Sequence, residues 1–355
     1  MSVLFTPLDL RGVRLPNRVA VSPMCQYSAG ADGLPTDWHR VHLGSRAVGG
    51  AGLVITEATA VAPEGRISPQ DTGLWSSAHV DAWRPITTFV AAQGAVPAVQ
   101  LAHAGFKGST YRPWDPRRGG VADADGGWTP VGVGDEPFAP DYRTPVALAG
   151  SGLAGIVAAF ARAATRAVDA GFAAVEIHAA HGYLLHEFLS PLTNRRTDGY
   201  GGDRAGRMRL PLEVAAAVRT AVGDEVPVLA RISATDWVDG GWTVSDSVVL
   251  AKELVAAGVD LVDCSSGGAV PGADIPVGPG YQVPLAARVR REAGVPTGAV
   301  GLISEPEQAE RIVADGQADL VLLGRELLRD PYWPRRAAAA LGAEPAWPDQ
   351  YLRAF

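Results

Sequence analysis

The hydrophobic and polar positions of the chain repeat in a regular order. A short apolar run is followed by a polar loop, an amphipathic helical pattern and a turn of small residues, after which the next apolar run begins. The apolar runs predict eight strands: Arg18–Ser22, Leu53–Thr59, Val96–Ala102, Ala173–His178, Val226–Ile232, Leu261–Ser265, Thr297–Gly301 and Leu320–Leu323. The predicted helices between them include Val80–Gln93, Gly155–Ala170, Arg204–Val222, Ser245–Ala257, Leu285–Glu292 and Glu305–Ala314.

This alternation predicts the fold class. Strands that alternate with helices pair in parallel through right-handed crossovers. Eight such units over most of the chain predict an α/β fold of the TIM-barrel type, (β/α)8, as a single domain over 1–355. The alternative, a doubly wound open sheet, would place a GxGxxG turn after the first strand, and none occurs there.

Three segments lie outside the repeat. Leu4–Asn17 has two short apolar runs around Arg11 and Gly12, which predicts a hairpin that could close the lower end of the barrel. Residues 104–152, after the third strand, are rich in Gly, Pro, Trp and Asp, as is typical of a lid-like insertion. Residues 343–355 form a C-terminal tail.

Composition narrows the class of protein. The 355 residues are 47% hydrophobic and 19% charged, which indicates a globular chain rather than a disordered one. The net charge of −7, with no basic block, argues against a nucleic-acid partner. Polar residues and prolines interrupt the longest uncharged stretch, Pro85–Phe106, so no membrane span is expected. Two cysteines supply neither a disulfide framework nor an iron–sulfur cluster, and no secretory signal is evident, so we expect a cytoplasmic protein.

Candidate chemistry lies where the predicted strands end, which is where barrel enzymes carry their sites. Strand one ends in Ser22–Tyr27, and strand four ends in His178–Tyr183. Glycines follow the last three strands and would let backbone N–H groups approach a phosphate. A phosphosugar isomerase or aldolase would fit that glycine pattern. It would also need a carboxylate base or a Schiff-base lysine at a strand end, and the chain has only Lys107 and Lys252.

Six motifs together resemble the old yellow enzyme family, in particular its bacterial, thermophilic-like branch. They are SPMCQY (22–27), Glu57–Ala58, QLAHAG (100–105), HAAHGYLLHEFLSPLTNRRTDGYGG (178–202), RISATDW (231–237) and GRELLRDP (324–331). The resemblance spans nearly the whole chain, and the motif of residues 178–202 is its most specific part. It implies an FMN-dependent oxidoreductase that uses NADPH.

The resemblance also implies residue roles for FMN. Gln100 would contact the pyrimidine edge of the flavin, and Arg231 would face the region where negative charge collects on reduction. Gly324, Arg325 and the backbone at Gly301 would hold the phosphate. The remaining residues expected to line the flavin are Ser22, Pro23, Met24, Cys25 and Ala58.

Substrate chemistry follows from the same resemblance. His178 and His181 would donate hydrogen bonds to the carbonyl oxygen of an α,β-unsaturated compound, an enone or similar activated alkene. The flavin N5 would deliver hydride to Cβ, and Tyr183 would protonate Cα. Tyr27 would contact the substrate from the opposite side. NADPH would use the same place first, in a ping-pong cycle.

The C-terminal tail suggests that the protein is a homo-oligomer. In similar enzymes a tail arginine reaches the neighbouring subunit's active site, so we expect Arg353 to bind substrate in trans within a homodimer or homotetramer. A frayed terminus is the alternative.

Other interpretations stay open at this stage. His178 and His181 could form a metal pair with Glu187 as a third ligand, although no metal is expected beside the flavin-type motifs. A non-catalytic FMN-binding redox sensor acting through Cys25 is the alternative function. Trp114, Trp128 and Phe138 of the insertion either shape the substrate mouth or pack the lid. His39 and His42 are interpreted as ordinary helix residues, and Cys264 as a barrel residue.

Overall fold

The structure is a computed structural model that describes residues 2–344 and 346–354. Its strands are β1 (Leu8–Leu10), β2 (Val13–Leu15), β3 (Val19–Val21), β4 (Leu53–Ala60), β5 (Val96–Ala102), β6 (Val131–Gly132), β7 (Val146–Ala147), β8 (Ala174–Ala179), β9 (Val228–Ser233), β10 (Leu261–Ser265), β11 (Thr297–Ala299) and β12 (Leu320–Leu323). Its helices are α1 (Asp37–Val48), α2 (Ser77–Ala92), α3 (Ser151–Asp169), α4 (Leu184–Leu189), α5 (Arg204–Val222), α6 (Val244–Ala256), α7 (Val283–Ala293), α8 (Pro306–Ala314), α9 (Arg325–Arg329) and α10 (Trp333–Ala340).

Eight parallel strands form a closed barrel in the order β3-β4-β5-β8-β9-β10-β11-β12. The ring closes where β12 pairs with β3, with Val321 opposite Val19 and Leu323 opposite Val21. The predicted TIM barrel is therefore confirmed. β11 ends at Ala299, two residues before the predicted end, because the chain then turns through Gly301 at a φ of 123°.

The helices form the outer layer, and the main core lies between them and the barrel. All six predicted helices are present. α1 was expected only in the interpretation of His39 and His42 as helix residues, and α10 was not predicted. α4 and α9 were not predicted because they are only six and five residues long, and α4 is buried on every side, so it lacks an amphipathic pattern. None of the helices in residues 2–344 and 346–354 has an apolar stretch long enough to cross a membrane.

The N-terminal hairpin is present and closes the lower end of the barrel. β1 and β2 pair in antiparallel fashion, with Leu10 opposite Val13, and Arg11 turns the chain at a φ of 48°. Leu10 and Leu15 pack against inward-facing apolar residues near the starts of the barrel strands, including Leu53, Leu229 and Leu320.

Residues 104–152 fold back against the upper end of the barrel. The short strands β6 and β7 pair in parallel, with Val131 opposite Val146. Glu187 of α4 joins this segment to the barrel, because its carboxylate accepts the N–H groups of Phe106 and Val133, each at 2.9 Å. The insertion is thus fixed to the helix that follows β8.

Candidate active site

The structure brings the predicted site residues of β3, β4, β5, β8, β9 and β12 to the upper end of the barrel. His178 lies within β8, and His181 and Tyr183 follow in the turn that leads into α4. The His178 ring lies 5.2 Å from the His181 ring and 5.0 Å from the Tyr183 ring, edge to face in both cases. His178 is buried, whereas His181 and Tyr183 are half-buried, so part of each of these two rings is accessible.

The turn that carries these rings depends on two left-handed residues. His181 has a φ of 60°, and Gly182 has a φ of 73°. A Cβ on Gly182 would lie 2.0 Å from the carbonyl oxygen of Gly268, so only glycine fits there. Ser233 fixes the same turn by donating to Gly267 O and accepting the His181 N–H, at 2.7 and 2.9 Å.

A buried histidine–aspartate pair supports the turn from below. His186 of α4 accepts the Gly182 N–H at Nδ1, at 2.8 Å, and its Nε2 lies 3.1 Å from Asp236 Oδ1. The other oxygen of Asp236 accepts bonds from Ser190 and from the backbone of Trp242. Because Nδ1 accepts, Nε2 of His186 carries the proton and donates it toward Asp236. Neither His186 nor Asp236 was predicted as a site residue from the sequence.

Electrostatics keeps the three site side chains uncharged. Burial, with the guanidinium of Arg231 adding to it, holds the pKa of His178 and of His181 well below the usual range. Burial also raises the pKa of Tyr183 well above its usual range. At neutral pH each histidine therefore has one N–H to donate, and the phenol keeps its proton.

The loop after β3 is held by a second buried pair. Glu57 of β4 accepts the Gln26 N–H at 2.8 Å and lies 2.9 Å from Nε2 of His39. His39 was predicted to be an ordinary helix residue. It lies in α1, as expected, and it also positions the loop that carries Cys25 and Tyr27.

Cys25 and Tyr27 pack against the small cluster around Ala58, as does Tyr183. Tyr27 has a φ of 48° and stacks edge-on against Trp114 of the insertion, with ring centroids 5.6 Å apart. Burial raises the pKa of the Cys25 thiol well above its usual range, and the carboxyls of Asp71 and Glu57 act in the same direction. Cys25 is therefore a protonated thiol.

A buried polar layer lies within the barrel beneath these rings. Gln100 donates to Glu176 Oε1 at 2.8 Å. Arg231 donates to the Ser22 hydroxyl at 2.9 Å, and its Nε lies 3.2 Å from Asp263 Oδ2. Glu176 and Asp263 were not among the predicted residues.

The end of β12 lies beside the loop after β3. A Cβ on Gly324 would come within 3.6 Å of Met24 Sδ and 4.0 Å of Ser22 Cβ. Arg325 is exposed. Burial raises the pKa of Tyr281, and the charges of Arg325 and Arg231 oppose that shift.

These residues fit a flavin nucleotide. Nδ1 of His178 and Oε2 of Glu176 are buried without a hydrogen-bond partner in the described part of the chain, as expected where a polar group completes the site. The site combines an amide, a guanidinium, a glycine cradle and an exposed arginine, which are suited to a pyrimidine edge and a phosphate. A Cβ on Gly324 would make only ordinary van der Waals contact with Met24 Sδ, at 3.6 Å, and would fill part of the space at the end of β12.

Lys107 connects three loops at the mouth of the site. Its Nζ donates to the carbonyl oxygens of His181 and Gly268, each at 2.7 Å, and lies 4.0 Å from the centroid of the Phe138 ring. Burial lowers its pKa to about 8. The amine is engaged in backbone contacts, so its geometry does not suit a Schiff base.

The remaining residues that the sequence suggested are the tail arginine, the possible metal ligands, the second cysteine and a tryptophan of the insertion. Arg353 lies in an exposed 3-10 turn, Asp349–Ala354. Within residues 2–344 and 346–354, no three His, Cys, Asp or Glu side chains are grouped to hold a metal. Both oxygens of Glu187 accept backbone N–H groups, so it does not extend the histidine pair into a third ligand. Cys264 is buried within β10, and Trp128 donates to the Glu64 carbonyl.

Sequence comparison establishes the family. Residues 3–344 match the NADH:flavin oxidoreductase / NADH oxidase family. The chain is 47% identical to an NADPH dehydrogenase of Geobacillus sp. (strain WCH70) over 355 residues, which cover 100% of this chain and 99% of the relative. An NADPH dehydrogenase of Halalkalibacterium halodurans is also 47% identical, over 99% of this chain and 98% of its own.

Solved structures agree with these relatives. Morphinone reductase matches with a TM-score of 0.79 and 31% identity, covering 98% of this chain and 92% of its own. An old yellow enzyme homologue from Zymomonas mobilis matches with a TM-score of 0.79 and 28% identity, covering 95% and 92%. The barrel and its polar upper end are therefore those of a flavin-dependent oxidoreductase. The chain belongs to the NADH:flavin oxidoreductase / NADH oxidase family, which confirms the old yellow enzyme resemblance, the FMN cofactor and the nicotinamide reductant.

Proposed function

We propose that this enzyme uses NADPH to reduce the activated C=C bond of α,β-unsaturated carbonyl compounds, with Tyr183 as the proton donor. The observation that carries the proposal is the group of His178, His181 and Tyr183 at the end of β8, in which the His178 ring lies 5.2 Å from that of His181 and 5.0 Å from that of Tyr183. Two hydrogen-bond donors and one proton donor in one half-buried group suit an enone, which needs its oxygen polarised and its α carbon protonated.

The two histidines act on the carbonyl oxygen. Each is neutral and donates one N–H, so the pair stabilises the negative charge that develops on that oxygen without releasing a proton to it. His181 Nε2 lies 2.7 Å from the Ser265 hydroxyl. This contact fixes the orientation of the ring, so that Nδ1, on the other edge, faces away from Ser265. His178 Nδ1 is buried without a protein partner in the described residues and is therefore available to a ligand.

Tyr183 holds the proton that goes to the α carbon. Burial raises its pKa well above the usual range, so the phenol stays protonated across the physiological range. A weak acid transfers its proton only to a strong base, such as the carbon of a substrate that has just received a hydride. Tyr27 contacts the acceptor from the other side, beside Cys25.

FMN, when bound, supplies the hydride transfer between NADPH and the acceptor. The residues that would hold it are Gln100 and Arg231 at the polar edge of the ring, Gly301, Gly324 and Arg325 at the phosphate, and Ser22, Pro23, Met24, Cys25 and Ala58 along the ring. The same half-buried place serves NADPH and the acceptor in turn, which makes the kinetics ping-pong.

The insertion forms part of the acceptor site. Trp114 packs on Tyr27, and Phe138 packs beside Phe106 and under the Lys107 amine. Two aromatic side chains of residues 104–152 thus pack against residues at the mouth of the site, Trp114 on Tyr27 and Phe138 beside Lys107. We infer that this segment sets the size of the acceptor, as a lid on a single barrel domain.

The assembly is a homodimer or homotetramer in which Arg353 contacts the acceptor bound to the neighbouring subunit. Arg353 is exposed, and Tyr351 and Leu352 beside it are 40% and 55% exposed. The Tyr332 hydroxyl lies 3.2 Å from that of Tyr351 and joins the turn to the start of α10. Deletion of residues 351–355 is expected to raise KM for the acceptor and to weaken assembly. Unchanged kinetics and unchanged mass by light scattering would contradict this role.

The cytoplasm is the compartment that suits both thiols. Cys25 and Cys264 are free, and the protonated Cys25 thiol contributes to the site only while it is reduced. The same raised pKa argues against a redox sensor acting through Cys25, because a sensor cysteine reacts as a thiolate.

An absorbance titration tests the function. The purified holoenzyme should lose its flavin band on anaerobic addition of NADPH and regain it on addition of cyclohexenone. A band that bleaches but does not return with any enone would refute the proposed activity and favour the sensor.

A further inference from the structure

The polar layer of the barrel holds two carboxyl groups and one guanidinium on adjacent strands. Glu176, Arg231 and Asp263 come from β8, β9 and β10, and all three are buried. Arg231 is the cation that lies within ion-pair distance of this group, with its Nε 3.2 Å from Asp263 Oδ2. Two ionised carboxylates would leave an unbalanced negative charge inside the barrel, which burial strongly disfavours. One carboxyl must therefore carry a proton.

The contacts distinguish the two carboxyls. Asp263 has the ion pair with Arg231. Glu176 has no ion pair among the described residues and receives only the amide N–H of Gln100, at 2.8 Å. Burial, and then the charge of Asp263, raise the pKa of Glu176 to about 8, against the opposing effect of Arg231. The proton therefore belongs on Glu176.

Groups from three other strands act on Glu176. β9 contributes Arg231, β10 contributes Asp263, and β5 contributes the uncharged Gln100. On β8 itself, His178 is neutral because its pKa is held well below the usual range. Burial raises the pKa of Asp263 as well, but its ion pair with Arg231 opposes that shift, so the charge that changes between pH 7 and 9 is placed on Glu176.

Gln100 connects Glu176 to the cofactor site. Its amide donates one N–H to Glu176, and this hydrogen bond fixes the plane of the amide. The amide oxygen and the second N–H are not used by Glu176 and can contact a ligand. Glu176 does not need to touch a ligand to orient Gln100.

We propose that Glu176 carries a proton at neutral pH and is a positioning residue for FMN, fixing the Gln100 amide and keeping the charge beneath the cofactor low. No bond forms to Glu176, and no electron passes through it. NADPH supplies both electrons with its hydride, and Glu176 keeps its proton. Ionisation of Glu176 at higher pH adds a negative charge beneath the place that accepts electrons, so it lowers the midpoint potential of FMN.

The test is the midpoint potential of FMN in the wild-type holoenzyme and in Glu176→Gln, measured from pH 6 to 9.5 by reductive titration against a reference dye. The wild-type curve should bend downward near pH 8, and the variant should lack the bend. A purely structural role would displace the curve evenly, so parallel curves overturn the proposal.

Two further variants locate the proton. Glu187→Gln is a matched control, because burial raises the pKa of Glu187 to about 8 as well but its oxygens bind Phe106 and Val133. It should keep the bend. Asp263→Asn should move the bend to lower pH, because the charge that raises the pKa of Glu176 is gone. A bend that persists in Glu176→Gln but vanishes in Asp263→Asn would place the proton on Asp263 and overturn the proposal.

One measurement does not depend on whether Glu176→Gln folds. Infrared spectra of the Glu187→Gln holoenzyme with isotope-labelled glutamate should show a protonated carboxyl band at pH 7 that disappears above pH 9. Absence of the band at pH 7 overturns the proposal. Because none of these measurements uses an enone, the result is independent of the proposed acceptor.

Discussion

The two ends of the barrel are built from opposite kinds of side chain. At the lower end, Leu10 and Leu15 of the hairpin join inward-facing leucines, valines and alanines in one apolar cluster. At the upper end, the buried groups include His103, His178, Glu176 and Asp263, each with a polar atom that has no hydrogen-bond partner in the described residues.

This difference indicates that the lower end of the barrel mainly stabilises the fold, whereas the upper end mainly serves activity. Apolar burial at the lower end stabilises the fold in proportion to the area removed from water. Buried polar atoms without partners at the upper end reduce stability, and they persist where a ligand completes them. Substitutions at the two ends should therefore change different measured quantities.

The largest expected effect is at the upper end. Tyr183→Phe should slow the acceptor-dependent half-reaction by ~10²–10⁴-fold, because the proton donor is lost. Flavin reduction by NADPH should be unchanged in stopped-flow absorbance traces. Tyr200→Phe is the matched control, since that hydroxyl binds Glu213 on α5. Equal losses in both half-reactions would contradict the role of Tyr183.

At the lower end, Leu15→Ala should reduce the free energy of unfolding by ~2–5 kcal/mol, because it leaves a cavity in the apolar plug. The kcat of the folded variant should match the wild type, since the plug is at the opposite end from the site. Urea unfolding with activity assays measures both. Val13→Ala, at a half-buried position of the same hairpin, should cost less. A large loss of kcat in folded Leu15→Ala would remove the distinction between the two ends.

The polar end should also be sensitive to acid. Burial lowers the pKa of His103 to about 4. Between pH 6.5 and 5 the unfolded chain takes up a proton at this residue and the folded chain does not, so stability falls as pH falls. At ~1.4 kcal/mol per pH unit, the loss from this residue is about 2 kcal/mol. The stability difference between wild type and His103→Gln, measured by urea unfolding, should change by this amount across that range. A pH-independent difference would show that His103 titrates normally in the folded protein.

The smallest expected effect concerns the rim of the upper end. Trp114→Ala should raise KM for cyclohexenone by ~2–10-fold, about the worth of one aromatic contact, with flavin reduction by NADPH unchanged. Trp128→Ala, in the same insertion but bound to the Glu64 carbonyl, should leave KM close to the wild-type value. Equal changes in the two variants would indicate that Trp114 only packs the insertion.

The sequence predicted the barrel well because apolar runs of strand length recur eight times, with six segments of helical spacing between them. Short elements carried no such signal: α4 has six residues without a polar face, and β6 and β7 have two residues each. Their conformations depend on contacts with distant residues, such as the carboxylate of Glu187.

The candidate site was only partly predictable. Residues at strand ends, such as His178 and Arg231, could be found from position alone. Glu176 and Asp263 were missed because they lie inside apolar runs. A signal was present, since Glu176 lies two residues before His178 and Asp263 two before Ser265, so each shares the inward face of its strand. The partners of His39 and His186 are distant in sequence, and spacing along the chain does not reveal them.

The pairing of β12 with β3 has a consequence for synthesis in the cell. These strands are about 300 residues apart, and Leu323 must be available before it can lie opposite Val21. While the chain emerges from the ribosome, β3 therefore remains an open edge that another chain could pair with. Contacts this distant in sequence also slow folding. We expect nascent or C-terminally shortened chains to depend on chaperones until the eighth strand arrives.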